Sequence, residues 1–357
     1  GVQSGVDTTF PQRIQRRNGF EETELERRGI KFNFEAPVTG AVSLGAVIAM
    51  GFGDGKIRFF RPGMAHTTVS AHGGVVLCMT ADRQSILTGG DDGKFLRISV
   101  DGQITELANF GTQWVNCVAA SNGKYACSSG KIAYVWSNEQ KKPISFEHVS
   151  TVGGLAFDVR ANRLAAAHYG GATIWENTQR KWKSSKLIWK GSYGAISFSP
   201  DGKYLVTAMQ ENAVHGWRLR DKADLAMSGY PAKIKSFAWV GETPYLVTSG
   251  ADEAICWPFD GKDGPLGRNP ICVASGGKQI ATCVQSLSSE NAVFTGYRDG
   301  AVILAELDEL KEAIPIRGSS GSAVTAITLT NSLSHVCIGD ESGQVLWATL
   351  WAGAQNG

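Results

Sequence analysis

A unit of about forty residues recurs along this chain, and it limits the possible folds more than any other feature. The clearest copy runs from Phe198 to Leu219, FSPDGKYLVTAMQENAVHGWRL. Three short apolar stretches are separated by two turns. Ser199-Pro200-Asp201-Gly202 is a strong turn signal, and Gln210-Glu211-Asn212 is a polar turn. Trp217 closes the unit, six residues after Glu211. The same pair of positions recurs as Asp54/Phe60, Asp92/Ile98, Gly130/Trp136, Tyr169/Trp175, Ala251/Trp257, Asp299/Ala305 and Glu341/Trp347. Successive closing positions are spaced 38, 38, 39, 42, 40, 48 and 42 residues apart. An apolar stretch precedes most turns, as in Leu205-Val206-Thr207, Leu246-Val247-Thr248 and Val336-Cys337-Ile338. Several short strands per unit at this period predict a propeller or a similar all-β array, because one unit cannot bury its apolar faces alone.

Composition agrees with a globular β protein. Of 357 residues, 43% are hydrophobic and 19% charged, and 43 glycines stand against 11 prolines, which suits many tight turns. The formal net charge of +2 only denies a strong global field and by itself neither suggests nor excludes nucleic acid, which is not the expected partner. The longest nearly apolar stretch, Ala41 to Met50, is far short of the roughly 20 residues a membrane helix needs. No charged-then-apolar signal segment stands at the start. Seven cysteines without a CxxC pair argue against a disulfide framework, so a reducing, cytoplasmic setting is expected.

The repeat resembles the WD40 family over roughly residues 30 to 351, and it looks most like bacterial, especially alphaproteobacterial, members. The residues that carry the likeness are Thr88-Gly89-Gly90-Asp91-Asp92-Gly93, Phe198-Ser199-Pro200-Asp201-Gly202 and the closing Trp136, Trp175, Trp217, Trp257 and Trp347. The repeats are degenerate. No Trp-Asp pair occurs, the turn aspartate survives at Asp54, Asp92 and Asp299, and the Gly-His step survives best as Ala71-His72. The resemblance implies a structural hydrogen-bond chain of His72, Thr88 and Asp92 in one copy, with Ile98 in place of the Trp. It also implies a single propeller domain over 30–357, with eight blades or, if the copy from Val38 to Phe60 is irregular, seven. In this family an N-terminal strand often completes the last blade, and Ile30-Lys31-Phe32-Asn33-Phe34 alternates as such a strand would. Residues 1–29, where Arg13, Arg16, Arg17, Arg27 and Arg28 are interspersed with Glu21, Glu22, Glu24 and Glu26, read as a polar, solvated tail with one helical turn around Glu22 to Arg27, or alternatively as a docking arm that orders on a partner.

No catalytic constellation stands out. Most Gly-Lys pairs fall at hairpin turns, and none has P-loop spacing. Ser121-Asn122-Gly123-Lys124 has the spacing of a Ser-x-x-Lys pair, but Asn-Gly marks a hairpin. The six histidines show no metal-ligand spacing, and Cys78, Cys117 and Cys283 repeat at equivalent strand positions, as small core residues do. No metal or cofactor is expected. The stretch 180–190, RKWKSSKLIWK, reads either as an outer edge strand guarded by lysines or as a basic, Trp-bearing grip for an acidic partner or nucleic acid. The family resemblance points to the propeller face that carries the turns between second and third strands. Asp91, His168, Gln210, Arg298 and Asp340 stand just before those turns, and Trp114, Tyr193 and Lys233 lead into first strands. These eight are the candidate contacts for a protein or peptide partner. The expected molecule is a non-enzymatic scaffold, monomeric or part of a larger complex. An enzyme with a central-channel site and a nucleic-acid binder through 180–190 are the alternatives.

Overall fold

The computed structural model describes residues 22–137, 140–179, 181–241, 244–275 and 279–351. They form eight four-stranded sheets in which sequence neighbours pair antiparallel. Numbered in chain order as blades 1 to 8, the sheets span 38–70, 76–109, 115–147, 154–188, 193–227, 237–273, 281–317 and 324–349. Seven blades take their four strands consecutively. Blade 8 takes three, and its fourth strand is Ile30–Asn33. Blade 1 is a regular four-stranded sheet, so the count is eight.

The chain divides into two compact units. One comprises 1–38, 60–65 and 230–357, and includes blades 6, 7 and 8. The other comprises 39–59 and 66–229, with blades 2 to 5 and most of blade 1.

Strand position within a blade explains the pattern of the sequence. Second strands are packed on both faces. Tyr204–Met209 is buried at all but its last residue, and Ala292–Tyr297 and His335–Asp340 are buried throughout. A strand covered on both sides is a continuous apolar run rather than an alternating one, which is why these segments stand out in the sequence. Fourth strands are outermost and mostly exposed, as in Met64–Ser70 and Lys181–Ile188. The closing tryptophans lie in third strands, where Trp136, Trp217 and Trp347 are buried. Turns leading into third strands need left-handed backbone. Gly93 has φ +80°, and a Cβ there would lie 2.1 Å from the Gly111 carbonyl oxygen, so both conformation and space exclude a side chain.

Blade 8 is completed in register by Ile30↔Trp347, Lys31↔Leu346, Phe32↔Val345 and Asn33↔Gln344. The Phe32 ring lies 5.4 Å from Phe34 and 5.6 Å from Phe60, and Phe60 is 5.9 Å from Trp347. Residues 22–29, directly before this strand, are docked rather than solvated. Thr23 and Glu26 form a capping box at the start of the short helix Glu24–Arg28. Leu25 enters the core shared by blades 7 and 8, Thr23 Oγ1 donates to the Ile316 carbonyl (2.6 Å), and the Gly318 N–H donates to Glu26 Oε1 (2.7 Å). Arg28 donates to the carbonyls of Thr349 and Leu350. The charged sequence concealed this docking, because only Leu25 is apolar within the helix. Arg13, Arg16, Arg17 and Glu21 lie outside the described residues.

Removal of residues 1–36 strips blade 8 of its fourth strand and of the Leu25 contact. The truncated chain is expected to melt about 3 °C lower or more, since ~2 kcal/mol or more shifts a chain of this size by about that amount. An unchanged melting temperature contradicts the assignment of this strand as structural.

Candidate partner-binding surface

In blades 2, 4, 6 and 8, polar pairs fasten the chain ahead of the first strand to the second strand, the third strand or the turn between them. In blade 2 the pair is a three-residue chain. His72 Nδ1 lies 2.9 Å from Asp92 Oδ1, and His72 Nε2 lies 2.7 Å from Thr88 Oγ1. The Gly73 N–H donates to Asp92 Oδ2 (2.9 Å). Burial alone would raise the Asp92 pKa, but hydrogen bonds from Gly73 and His72 hold it below the usual carboxylate value. Ile98, buried in the third strand, takes the place of a Trp with packing alone.

Other blades fasten the same junction with different chemistry. In blade 6, Trp257 Nε1 donates to the Tyr230 hydroxyl (2.7 Å), which is 2.6 Å from Thr248 Oγ1. In blade 4, Trp175 Nε1 donates to His148 Nε2 (2.9 Å). Between blades 7 and 8, Arg317 Nη2 donates to Asp340 Oδ2 (2.9 Å), and both side chains are buried. His148 and Tyr230 were not singled out from the sequence. The signal was the position itself: His72, Phe110, His148, Trp189 and Tyr230 recur at 38, 38, 41 and 41 residues. The residue type changes each time while a large ring or a hydrogen-bonding tip is retained.

His148, just ahead of blade 4, is held neutral. His148 accepts from Trp175 at Nε2, so its proton resides on Nδ1, 3.1 Å from the Lys131 carbonyl. Burial lowers the His148 pKa, and the charges of His168 and Lys186 push the same way. Burial likewise lowers His215, although Asp224 Oδ1, 2.9 Å from its Nε2, works in the other direction. His335 is lowered by burial alone. The thiols are inert for a similar reason: burial pushes Cys117 up to about 11 and Cys283 up to about 12. Among the described residues no group of three His, Cys, Asp or Glu is placed to hold a metal ion.

The eight candidate contacts fall into two classes. Trp114, Gln210, Lys233 and Arg298 are exposed, and Asp91 is half-buried, accepting from the Val75 N–H (2.8 Å). Tyr193, His168 and Asp340 are buried. Tyr193 donates its hydroxyl to the Lys190 carbonyl and sits in the core between blades 4 and 5. His168 lies 2.8 Å from Thr173 Oγ1 through Nε2 and 2.9 Å from the Tyr169 carbonyl through Nδ1. Asp340 takes Arg317 and the backbone N–H groups of Ser342 and Gln344. A position next to a turn reads as exposed in sequence, but here the turn is covered by the segment leading into the next first strand. Asp54 and Asp299 also serve their own turns, accepting from the N–H groups of Lys56 and Ala301.

One group of large apolar side chains remains uncovered in the unit containing blades 3 to 5: Trp114 (55% exposed), Val149 (72%), Tyr169 (63%) and Ile188 (76%), with Trp189 at the margin. Hydrogen bonds bring three of these segments together. The Tyr169 N–H donates to Ser150 Oγ (2.9 Å), the Trp189 N–H to the Gly170 carbonyl (3.1 Å), and Ile188 pairs with Gly171. Trp114 stands beside the equivalent turn of blade 3, its carbonyl accepting from Ser129 Oγ (2.9 Å). The basic stretch is the outermost strand of blade 4, Lys181–Ile188, with Arg180 outside the described residues. Its Trp182 meets Phe146 edge-on at 5.3 Å, and Trp189 stacks on His215 at 4.3 Å.

Comparison with known proteins agrees with this architecture. No family model matches the chain. Curated relatives include echinoderm microtubule-associated protein-like 2 of Rattus norvegicus, 26% identical over 201 residues and 53% of this chain, and that of Homo sapiens, 25% identical over 222 residues and 55%. The match covers 30% of the length of each relative. Among solved structures, the C-terminal WD40 domain of Sif2 superimposes with a TM-score of 0.73 at 14% identity, covering 94% of this chain and 99% of that one. The computationally designed protein Ika8 superimposes with a TM-score of 0.71 at 17% identity, covering 89% and 98%. The chain is a WD40-like β-propeller. It has eight blades, and no helix among its described residues is long and apolar enough to cross a membrane.

Two predictions follow from how this WD40-like propeller fastens its blades. Asp340→Ala leaves Arg317 charged and buried, and is expected to cost about 3–5 kcal/mol in chemical denaturation. A loss below about 1 kcal/mol contradicts a structural role. The second concerns acid. His148, His215 and His335 have folded pKa values below the unfolded value near 6.5, so the unfolded chain takes up their protons first. Their full contribution is present above about pH 6.5 and is lost as pH falls through that value toward the folded pKa values. Unfolding free energy measured from pH 7.5 to 5 is expected to fall, and to fall less steeply in His148→Gln.

Proposed function

We propose that this chain is a non-enzymatic scaffold that binds a protein or peptide partner on the surface of Trp114, Val149, Tyr169 and Ile188. The observation that carries this reading is their exposure. Four large apolar side chains stand uncovered at turns and strand ends of neighbouring blades, where an ordinary blade end needs none. Aromatic anchors of this kind suit interface hot spots, since they bury much area with few torsions to freeze. The exposed candidates Gln210, Lys233 and Arg298 and the half-buried Asp91 remain proposed contacts of the same kind. Tyr193, His168 and Asp340 leave that set, because their side chains are used inside the blades.

A scaffold also fits the state of the reactive groups. The histidines described above are engaged by neighbouring hydrogen bonds, and burial keeps the core thiols protonated at neutral pH. The relatives are named as microtubule-associated protein-like, so a cytoskeletal protein belongs among the partners to be tested.

A tagged chain and its Trp114→Ala/Tyr169→Ala/Ile188→Ser variant, compared in pull-downs from native extract, test the proposal. All three side chains are exposed, so the variant is expected to keep its melting temperature and lose the captured protein. Equal capture by both chains overturns the proposed surface.

A further inference from the structure

The outermost strand of blade 4 says more about the partner. Four lysines, Lys181, Lys183, Lys186 and Lys190, fall within ten residues, and among the described residues none forms an ion pair. Strand alternation sorts them. Trp182, Ser184, Lys186 and Ile188 share one face, and Trp182 meets Phe146 in the outermost strand of blade 3. Lys186 and Ile188 therefore face the segment in which Val149 follows that strand. The charge of Lys186 reaches His148, one residue before Val149. Lys190 follows the exposed Trp189 at the other margin. Glu176 stands opposite Lys183 in the strand register, Glu147 is paired with Lys131 at 3.5 Å, and Glu211 stands beside Gly191, next to Lys190; among the described residues none of the three forms an ion pair with a lysine of this stretch.

We infer that the blade 4 end of this surface takes an extended acidic segment of the partner. One of its apolar side chains sits among Val149, Tyr169 and Ile188, and its carboxylates pair with Lys186 and Lys190. The inference rests on the scaffold reading above and names the chemistry of the partner at that same surface. Two features favour an acidic polypeptide over a nucleic acid. A base needs an aromatic face to stack on. Trp182 is packed edge-on against Phe146 with the Lys124 ammonium 5.5 Å from its ring centre, and one face of Trp189 is covered by His215. The uncovered area is made of the aliphatic Ile188 and Val149 with Tyr169 as its one ring, which suits a Leu, Met or Phe side chain. The outer edge of an eight-residue strand also presents backbone N–H and C=O groups to which an extended segment can add. Its lysines repel basic or neutral strands and admit an acidic one.

Fluorescence anisotropy with four labelled probes tests this. The probes are Glu-Glu-Leu-Glu-Glu-Leu-Glu-Glu, its Gln-for-Glu counterpart, its Ser-for-Leu counterpart, and a single-stranded thymidine oligonucleotide. The expected result is that the first probe binds at least about tenfold tighter than the other three, a difference of ~1.4 kcal/mol. Its binding weakens as salt rises from about 0.05 to 0.3 M, as screening requires. Lys186→Glu/Lys190→Glu is expected to weaken it at least about tenfold with an unchanged melting temperature. Equal binding of the Gln or Ser probe, tighter binding of the oligonucleotide, indifference to the charge reversal, or no binding of the first probe at about 0.1 mM each overturns the inference. The two levels of the reading are separable. If the captured cellular partner is lost by the Trp114/Tyr169/Ile188 variant but retained by the Lys186/Lys190 variant, the scaffold surface stands and the acidic segment falls. If the partner is retained by both, both readings fall.

Discussion

The pairing of Ile30–Asn33 with the last strand of blade 8 is the contact on which the rest depends. Without it, blade 8 ends in a row of unpaired backbone groups, an open edge that attracts other strands. The pairing also ties the beginning of the described chain to its end, and the ties are varied. A capping box starts the helix that precedes the strand, Leu25 fills a core space, Arg28 satisfies two carbonyls near residue 350, and Phe32 joins a stack with Phe34 and Phe60. Four paired residues form a weak strand by themselves. Embedded in these contacts, they become a fixed part of the sheet.

Within the blades, the degeneracy of the repeat is chemical rather than geometric. The junction between a turn and the next first strand is fastened by His72–Asp92 in one blade, Trp175–His148 in another, Trp257–Tyr230 in a third and Arg317–Asp340 in a fourth. Each solution satisfies buried polar groups that would otherwise cost free energy. What is retained is the need to satisfy them; the residue types are free to drift. A search for one fixed set of side chains finds in this chain a partial copy, His72, Thr88 and Asp92 with Ile98 in place of the Trp.

This explains what was legible in the sequence. The second strands and the closing tryptophans were visible because burial on both faces forces a continuous apolar run, and the period of the turns supplied the count of blades. The strand at Ile30 was visible from its alternation. The docking of residues 23–28 was not, since one leucine among charges carries no periodic signal. The surface was legible only in part. Trp114 and Tyr193 stand at comparable places before first strands, yet Trp114 is exposed and Tyr193 fills the core between two blades. Asp340 and Asp91 stand at the same place before a turn, but only Asp340 has an arginine at the facing junction. Which of two equivalent side chains is covered depends on the neighbouring blade's residue, and that is set about forty positions away in the chain.

The proposed partner surface is the uncovered end of blades 3 and 4, whereas residues 23–33 of the N-terminal segment are structural. Hydrogen exchange of the chain, free and bound to the protein it captures, tests that division most directly. The account predicts slowed exchange of amides in 148–150, 168–171 and 186–191, with little change in 23–33, which is already protected by its contacts. Protection confined to 23–33, or to blade 6 or 7 alone, contradicts it.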